Sequence, residues 1–462
     1  MKLGLTPIGP SLGAGVWWSS RRPERLPGLL DVVDGSLRLR LSSHPTAKLT
    51  GRRLVDHPPP LASATLLGVI GDTEVALHGC QLRGVSGTDD DPIVDIAVGF
   101  AVAGPHPKQK PLHLSRIELS LLNMNAWTER PPFRISSDPD AISAPRVEVS
   151  SHDRIELQLP GATATIGPSW TLSMARYDGN PLVRAQDGID IRLDQAIRLE
   201  SCLLDWVRPF QRLLCLATDR PCPVTRLRLG LVDDRRFSHE MIVPAELVGE
   251  PKRASMTPMS AMFYLSDVEL PVLAQSWMRM HADWLEVIDL WEAAGARLPP
   301  HAYFLTVAAA LEGLHRRIFE VEPTPKHLER LRRIETAIPK KDWRWLKGRL
   351  KHSHEPSLQQ RLVALAKRTR VDLGSTPGDV RQWATDFSKV RNSVAHRDTA
   401  SQSARQETAK LMRLAHDGHR LLSVALAAEI GVPAEALNRH VSTSHRRFTD
   451  AEEAAQAIDR MW

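Results

Sequence analysis

The stretch VRQWATDFSKVRNSVAH, residues 380–396, sets Val380, Trp383, Phe387, Val390 and Val394 three and four residues apart in turn. That is the spacing of an α-helix that buries one apolar stripe. Its last six residues, Arg391 to His396, bring together a permanent cation, the carboxamide of Asn392 and an imidazole. Such a trio suits cleavage of an RNA phosphodiester without a metal, since an imidazole moves protons near neutral pH while a guanidinium holds phosphate. Asn392 and His396 are four apart and share a face. Arg391 and His396 are five apart, about 140° around an ideal helix, so they converge only where the helix ends or bends, or where a second subunit completes the site. Two copies meeting across a dimer axis would do so.

The same period recurs on both sides of this helix. Upstream, Trp277, Trp284 and Trp291 repeat every seven residues with Met280 and Ile288 between them, predicting one long helix with a tryptophan seam. Phe304, Val307, Leu311, Leu314 and Ile318 predict the next, opened by Pro299 and Pro300. Leu328, Leu331, Ile334 and Ile338 mark a third, and Leu358, Leu362 and Leu365 a fourth. Downstream, a last core helix runs from Leu411 through Ile430 and closes at Gly431, with Pro433 beyond. Residues 262–432 are expected to form an all-α bundle, followed by a tail, 433–462, with a short helix opened at Thr449-Asp450.

The first half of the chain has another period. Between residues 16 and 246 apolar and polar residues alternate in short runs broken by turn formers, which argues antiparallel strands. Gly35-Ser-Leu-Arg-Leu-Arg-Leu41 puts three leucines on one face and two arginines on the other. Ala64–Ile70 turns at Gly71-Asp72 into Val75–Leu77, and further runs cover 93–102, 117–122, 146–149, 155–159, 170–175, 189–193 and 224–231. One helix interrupts them, at Leu203, Val207, Phe210 and Leu214. Residues 1–248 therefore read as a mostly antiparallel β domain, either a sandwich or a curled barrel. The polar, proline-flanked stretch 249–261 reads as a linker.

The 462 residues carry 60 Lys and Arg against 54 Asp and Glu, a mild bias that permits an anionic partner without demanding one. Cys80, Cys202, Cys215 and Cys222 form no CxxC pair, so free buried thiols in a reducing compartment are expected rather than a zinc site. No run is long and apolar enough for a membrane span or a signal peptide, and a cytoplasmic location is expected.

RNSVAH, set within KVRNSVAHRD, resembles the Arg-x4-6-His motif of the HEPN ribonucleases. AAALEGLHRRIF, which contains Glu312 and His315, is similar to an early helix of the Apea-like HEPN branch. The likeness covers residues 262 to 430 and implies a homodimeric endoribonuclease that needs no cofactor. In the implied mechanism a ribose 2′-hydroxyl attacks the adjacent phosphorus and leaves a 2′,3′-cyclic phosphate. Carried onto this chain, His396 is the general acid or base, Arg391 clamps the phosphate and Asn392 orients either. Glu312 is a supporting residue that holds Arg391 or His396. The resemblance also implies antiphage defence by abortive infection, with the β domain, similar to the sensor-like region of Apea proteins, as the place where a phage-derived trigger acts. On the residues alone, a surface pair of Arg391 with Asp398 and a packed His396 compete with this reading. The competing function is a non-catalytic dimer that binds RNA or nucleotide and carries a ligand-sensing β domain.

Residues 326–351 hold ten basic side chains against three acids, with Trp343 and Trp345 among them. Basic groups interleaved with aromatics suit single-stranded RNA or an unpaired part of tRNA, tracking the backbone and stacking on bases. Lys340, Lys341, Arg344 and Lys347 are the candidate RNA contacts; a solvated helix face with its tryptophans in the core is the alternative. His352-Ser-His-Glu355 and Asp89-Asp-Asp-Pro92 read as loop and turn surface, so no metal site is expected. The glycines at 9, 13 and 15 lack the strand, helix and Lys-Ser/Thr ending of a phosphate loop.

Overall fold

A computed structural model describes residues 13–19, 22–33, 36–41, 64–87, 92–105, 113–130, 133–136, 146–149, 153–174, 181–232, 239–242, 261–295, 298–319, 322–350, 353–370, 380–396 and 404–442. The chain forms two compact units that part between Gln275 and Ser276. Residues 249–260 of the expected linker lie outside the described residues. Residue 261 of that linker and residues 262–275, expected to open the helical domain, fall within the first unit, where Met262, Phe263, Leu265 and Leu270 are buried and the Met262 N–H donates to the Ala217 carbonyl at 2.7 Å.

In the first unit, β1 (Gly13–Ser19), β2 (Arg22–Val33), β3 (Ser36–Leu41), β4 (Ala64–Ile70), β5 (Thr73–Gly87) and β6 (Pro92–Val98) pair antiparallel in the order β5-β4-β1-β2-β3-β6. β6 also pairs back onto β5, which closes a barrel and decides for the barrel over the sandwich. Leu37, Leu39 and Leu41 point inward with Trp17, Leu30, Leu77 and Ile96, while Arg38 and Arg40 take the other face as the pleat requires. Trp17 is 1% exposed, and its ring fits because the residue opposite, Gly68, has no side chain: a Cβ there would collide with the ring.

β5 also pairs with β7 (Phe100–Ala103). The sheet then runs on through the remaining strands, β8 (His113–Leu121), β11 (Ile155–Leu159), β12 (Ala162–Met174), β13 (Pro181–Arg198), β14 (Val224–Leu231) and β15 (His239–Ile242), in the order β7-β15-β14-β8-β13-β12-β11. β9 (Phe133–Ser136) and β10 (Arg146–Val149) form a separate two-stranded sheet. One face of this open wing is covered by α1 (Met124–Thr128) and by α2, which runs through Leu199–Cys202, a π turn at Leu203–Val207 and Arg208–Thr218. Leu121, Ile166 and Ile189 meet Phe210, Leu213 and Leu214 there. Alternation then sends Arg116, Glu118, Asp190, Arg226 and Arg228 to the opposite face. All four cysteines are free, and Cys80, Cys202 and Cys222 are buried.

The second unit contains α4 (Leu285–Gly295), α5 (Pro300–Ile318), α6 (Pro325–Ala337), α7 (Lys340–Leu350), α8 (Leu358–Thr369), α9 (Val380–His396) and α10 (Ala404–Glu429); the division between units falls inside α3 (Leu270–Asp283). The expected tryptophan helix is interrupted at Trp284, with Trp277 and Trp291 buried on either side. α5 is central: Phe304, Val307, Leu311 and Leu314 are buried, and it packs against α4, α8, α9 and α10. The Phe304 and Phe387 rings lie 4.6 Å apart, and the Trp291 indole N–H donates to the Ser423 hydroxyl at 2.9 Å. Gly418 lets α10 approach, since a Cβ there would lie 2.9 Å from both Phe387 and Val307. Residues 434–442 form a further helix that buries Ala436, Leu437 and Val441, so the beginning of the expected tail is packed structure. Thr449 and Asp450 lie outside the described residues.

Candidate functional site

Helix α9 lays Trp383, Ala384 and Phe387 into the core of the bundle, the stripe that its sequence period requires. Arg391 emerges beside that stripe with its side chain 38% exposed. Its Nη2 donates to Glu312 Oε1 on α5 at 3.4 Å, so the two residues from distant parts of the sequence meet. A guanidinium carries five N–H donors, and this bond uses one of them. Asn392 is exposed. The backbone is helical through His396, which keeps Arg391 and His396 about 140° apart around the axis. The His396 side chain and Asp398 lie outside the described residues.

Glu312 and Arg391 line an open cleft of about 520 Å³ between α4, α5 and α9, together with Glu286, Leu290, Leu305 and Arg316. Its lining joins apolar side chains to two carboxylates and two guanidiniums. A cleft so lined can hold a charged ligand at Arg391 while an apolar neighbour covers Leu290 and Leu305.

A second network lies one turn further along α5. His315 is 3% exposed and stacks on Phe319 at 4.6 Å. Arg361 of α8 reaches its Nδ1 at 3.3 Å; arginine only donates, so Nδ1 accepts and the ring is neutral there. Arg361 in turn donates to Glu355 Oε2 at 2.5 Å and to the Pro356 carbonyl at 2.9 Å, and Glu355 also pairs with Arg316 at 3.2 Å. Burial, with Arg361 and then Arg316 nearby, pulls the His315 imidazole down from 6.5 to about 4. Sequence reasoning does not reach this network. Ser357 and Gln360 hold the capping box that opens α8 and puts Arg361 in its first turn, but no local spacing pairs Arg361 with His315.

The basic stretch forms two helices, α6 and α7, neither of which buries a residue. The sequence period marks the first of these as an apolar stripe, yet Leu328 is exposed; in α7 Trp343, Leu346 and Leu350 keep helical spacing and are half-buried. Lys340, Lys341, Arg344 and Lys347 are all exposed. Trp345 is 66% exposed, with the Arg349 guanidinium 5.9 Å from its ring centroid, and Trp343 is half-buried. Neither tryptophan is buried, which departs from the expectation of tryptophans in the core, while the exposed helices fit a solvated face. Lys340 to Lys347 and the Arg391–Glu312 pair are both carried by the second unit.

Among the described residues no group of three or more His, Cys, Asp or Glu side chains is placed to hold a metal ion. Glu355 of the His352–Glu355 loop is engaged by the two arginines, and His352 lies outside the described residues. No described helix is long and apolar enough to cross a membrane.

Residues 305–436 match the family model for the Apea-like HEPN domain, and residues 14–271 match the model for ApeA N-terminal domain 1. No curated protein and no solved structure matches the chain. The N-terminal match alone spans more than half of the sequence and covers the barrel and its open wing, while the HEPN match contains both Glu312 and the Arg391–His396 motif. The chain belongs to the ApeA-type HEPN proteins.

Proposed function

We propose that this HEPN-type antiphage defence protein is a metal-independent endoribonuclease that acts as a homodimer in the cytoplasm and kills or arrests the infected cell. The observation that carries the reading is Arg391, held by Glu312 at the edge of an open cleft. Arg391 binds the scissile phosphate and stabilises the charge that grows on its non-bridging oxygens. His396, with its counterpart from the second subunit, removes the proton from the ribose 2′-hydroxyl and returns one to the departing 5′-oxygen. Asn392 orients the phosphate or the imidazole. Two copies solve the geometric problem set by a straight helix, since an Arg391 and a His396 from different chains can face one phosphate. The exposed Lys340, Lys341, Arg344 and Lys347, with Trp345, supply a basic and stacking surface for single-stranded RNA or tRNA. The β domain receives a phage-derived trigger and governs the nuclease.

The test is cleavage of labelled RNA by the Arg391→Ala protein. Cleavage should fall by about a hundredfold or more, the scale of losing one charge-stabilising group at a reacting centre, while RNA binding persists. Full cleavage by this variant would remove Arg391 from the site.

A further inference from the structure

The open cleft of the helical unit carries a guanidinium besides Arg391. Helix α5 turns one face to it, with Leu305, Ala309, Glu312 and Arg316 standing three or four residues apart. Glu312 accepts the Arg391 bond, and Arg316 stands four residues further on, about 6 Å along the axis. Gly313, in the lining beside them, has no side chain, and a Cβ there would lie 3.2 Å from Val287. Arg391, through Glu312, and Arg316 therefore meet the cleft about one helical turn apart.

Arg316 is aimed by a carboxylate from another segment. Its Nη2 donates to Glu355 Oε2 at 3.2 Å, and the same oxygen accepts from Arg361 at 2.5 Å. The Arg361 side chain is 4% exposed and that of Arg316 62%, so the short bond belongs to the buried cation and the longer one to the cation at the surface. Such an exposed pair adds little to stability, and it uses one of the five N–H donors of Arg316. A guanidinium steadied in this way is a prepared ligand for phosphate oxygens. Glu312 and Arg391 repeat the device one turn away. Glu286, the other carboxylate of the lining, lies 3.9 Å from the Arg317 guanidinium, so each acid of the cleft has an arginine beside it. Successive phosphates of a single strand are separated by a similar step, and basic groups that track a backbone meet them in turn.

We propose that Arg316 forms a second phosphate subsite, which holds the RNA phosphate next to the scissile one. The subsite rests on the nuclease reading, since it takes its register from a scissile phosphate at Arg391. Arg316 does not touch the reacting atoms, so its loss acts on KM and leaves kcat near the parent value.

The test is steady-state cleavage of a labelled RNA at a mapped position. The RNA is used as it is and with a neutral methylphosphonate replacing the phosphate on one side or the other of the scissile one. Arg316→Ala should raise KM about tenfold, the scale of one charged hydrogen bond, and Arg316→Lys should recover part of the loss. On one side the methylphosphonate should raise the KM of the parent protein by a similar factor and add nothing in Arg316→Ala. Arg316 is largely exposed, so the variant keeps the fold, and its melting temperature checks this. The subsite is overturned, with the nuclease reading left standing, if Arg316→Ala keeps the parent KM, if it loses kcat instead, or if the methylphosphonate penalty persists in full in the variant on both sides. A parent protein that cuts no RNA overturns the nuclease reading, and the subsite with it.

Discussion

Glu312 and Arg391 are 79 residues apart in sequence and meet because α5 and α9 share one core layer, built on Phe304 and Phe387. Both side chains are partly exposed, so the pair contributes below about 1 kcal/mol to stability, and under the proposed function its work is to aim the guanidinium. Glu312→Gln should therefore leave the urea midpoint nearly unchanged while slowing RNA cleavage by about tenfold or more; a large loss of stability with unchanged cleavage per folded molecule would make the pair structural. His315 gives the opposite case. Its folded-state value near 4 lies below the ordinary 6.5, so between those limits the unfolded chain binds a proton that the folded chain refuses. Stability should be complete above the ordinary histidine value and decline as pH falls through this window. Melting temperatures should drop more steeply with acidification in the parent protein than in His315→Gln. Parallel curves would show that His315 is not the group responsible.

At the level of elements, packing that depends on an absent side chain is the most easily broken. Gly68→Val places carbon inside the Trp17 ring volume and should cost about 1–3 kcal/mol or more by overpacking, seen as a lower denaturation midpoint; an unchanged midpoint would mean that β1 and β4 yield freely. The helices α6 and α7 bury nothing, so reversing Lys340, Lys341, Arg344 and Lys347 to Glu should not alter melting. It should weaken RNA binding and reduce the slope of log affinity against log salt by roughly 0.7 for each phosphate that the protein no longer neutralises. Binding with the parent slope would place the RNA elsewhere. Strands and core helices are readable from sequence because one buried face imposes a period, as in Leu37-Arg38-Leu39-Arg40-Leu41 and in Trp383 to Phe387. Barrel closure is not, since pairing of β6 with β5 depends on partners that no local period encodes. The same limit hides the His315–Arg361–Glu355 network, while the Glu312–Arg391 pairing is anticipated only through the resemblance of LEGLHR and RNSVAH to a known family. α7 offers only the short stripe of Trp343, Leu346 and Leu350, half-buried and set among charges, which is a weak signal beside the buried stripes of the core helices.

For the molecule as a whole, the proposed nuclease would have to be restrained if it attacks host RNA, and the division of the chain between Gln275 and Ser276 marks where to cut in testing whether the β domain restrains it. A fragment of residues 276–442, which keeps the packed helix after Gly431, should be more toxic to cells than the intact chain; equal or lower toxicity from a folded fragment would argue that the β domain does not hold the nuclease in check. The chemistry itself is tested by incubating labelled single-stranded RNA and tRNA with the intact protein and with His396→Ala in the presence of EDTA. A metal-independent nuclease centred on His396 predicts products ending in a 2′,3′-cyclic phosphate from the parent protein and none from the variant. RNA that is bound but uncut by both proteins, or cut equally by both, would contradict it.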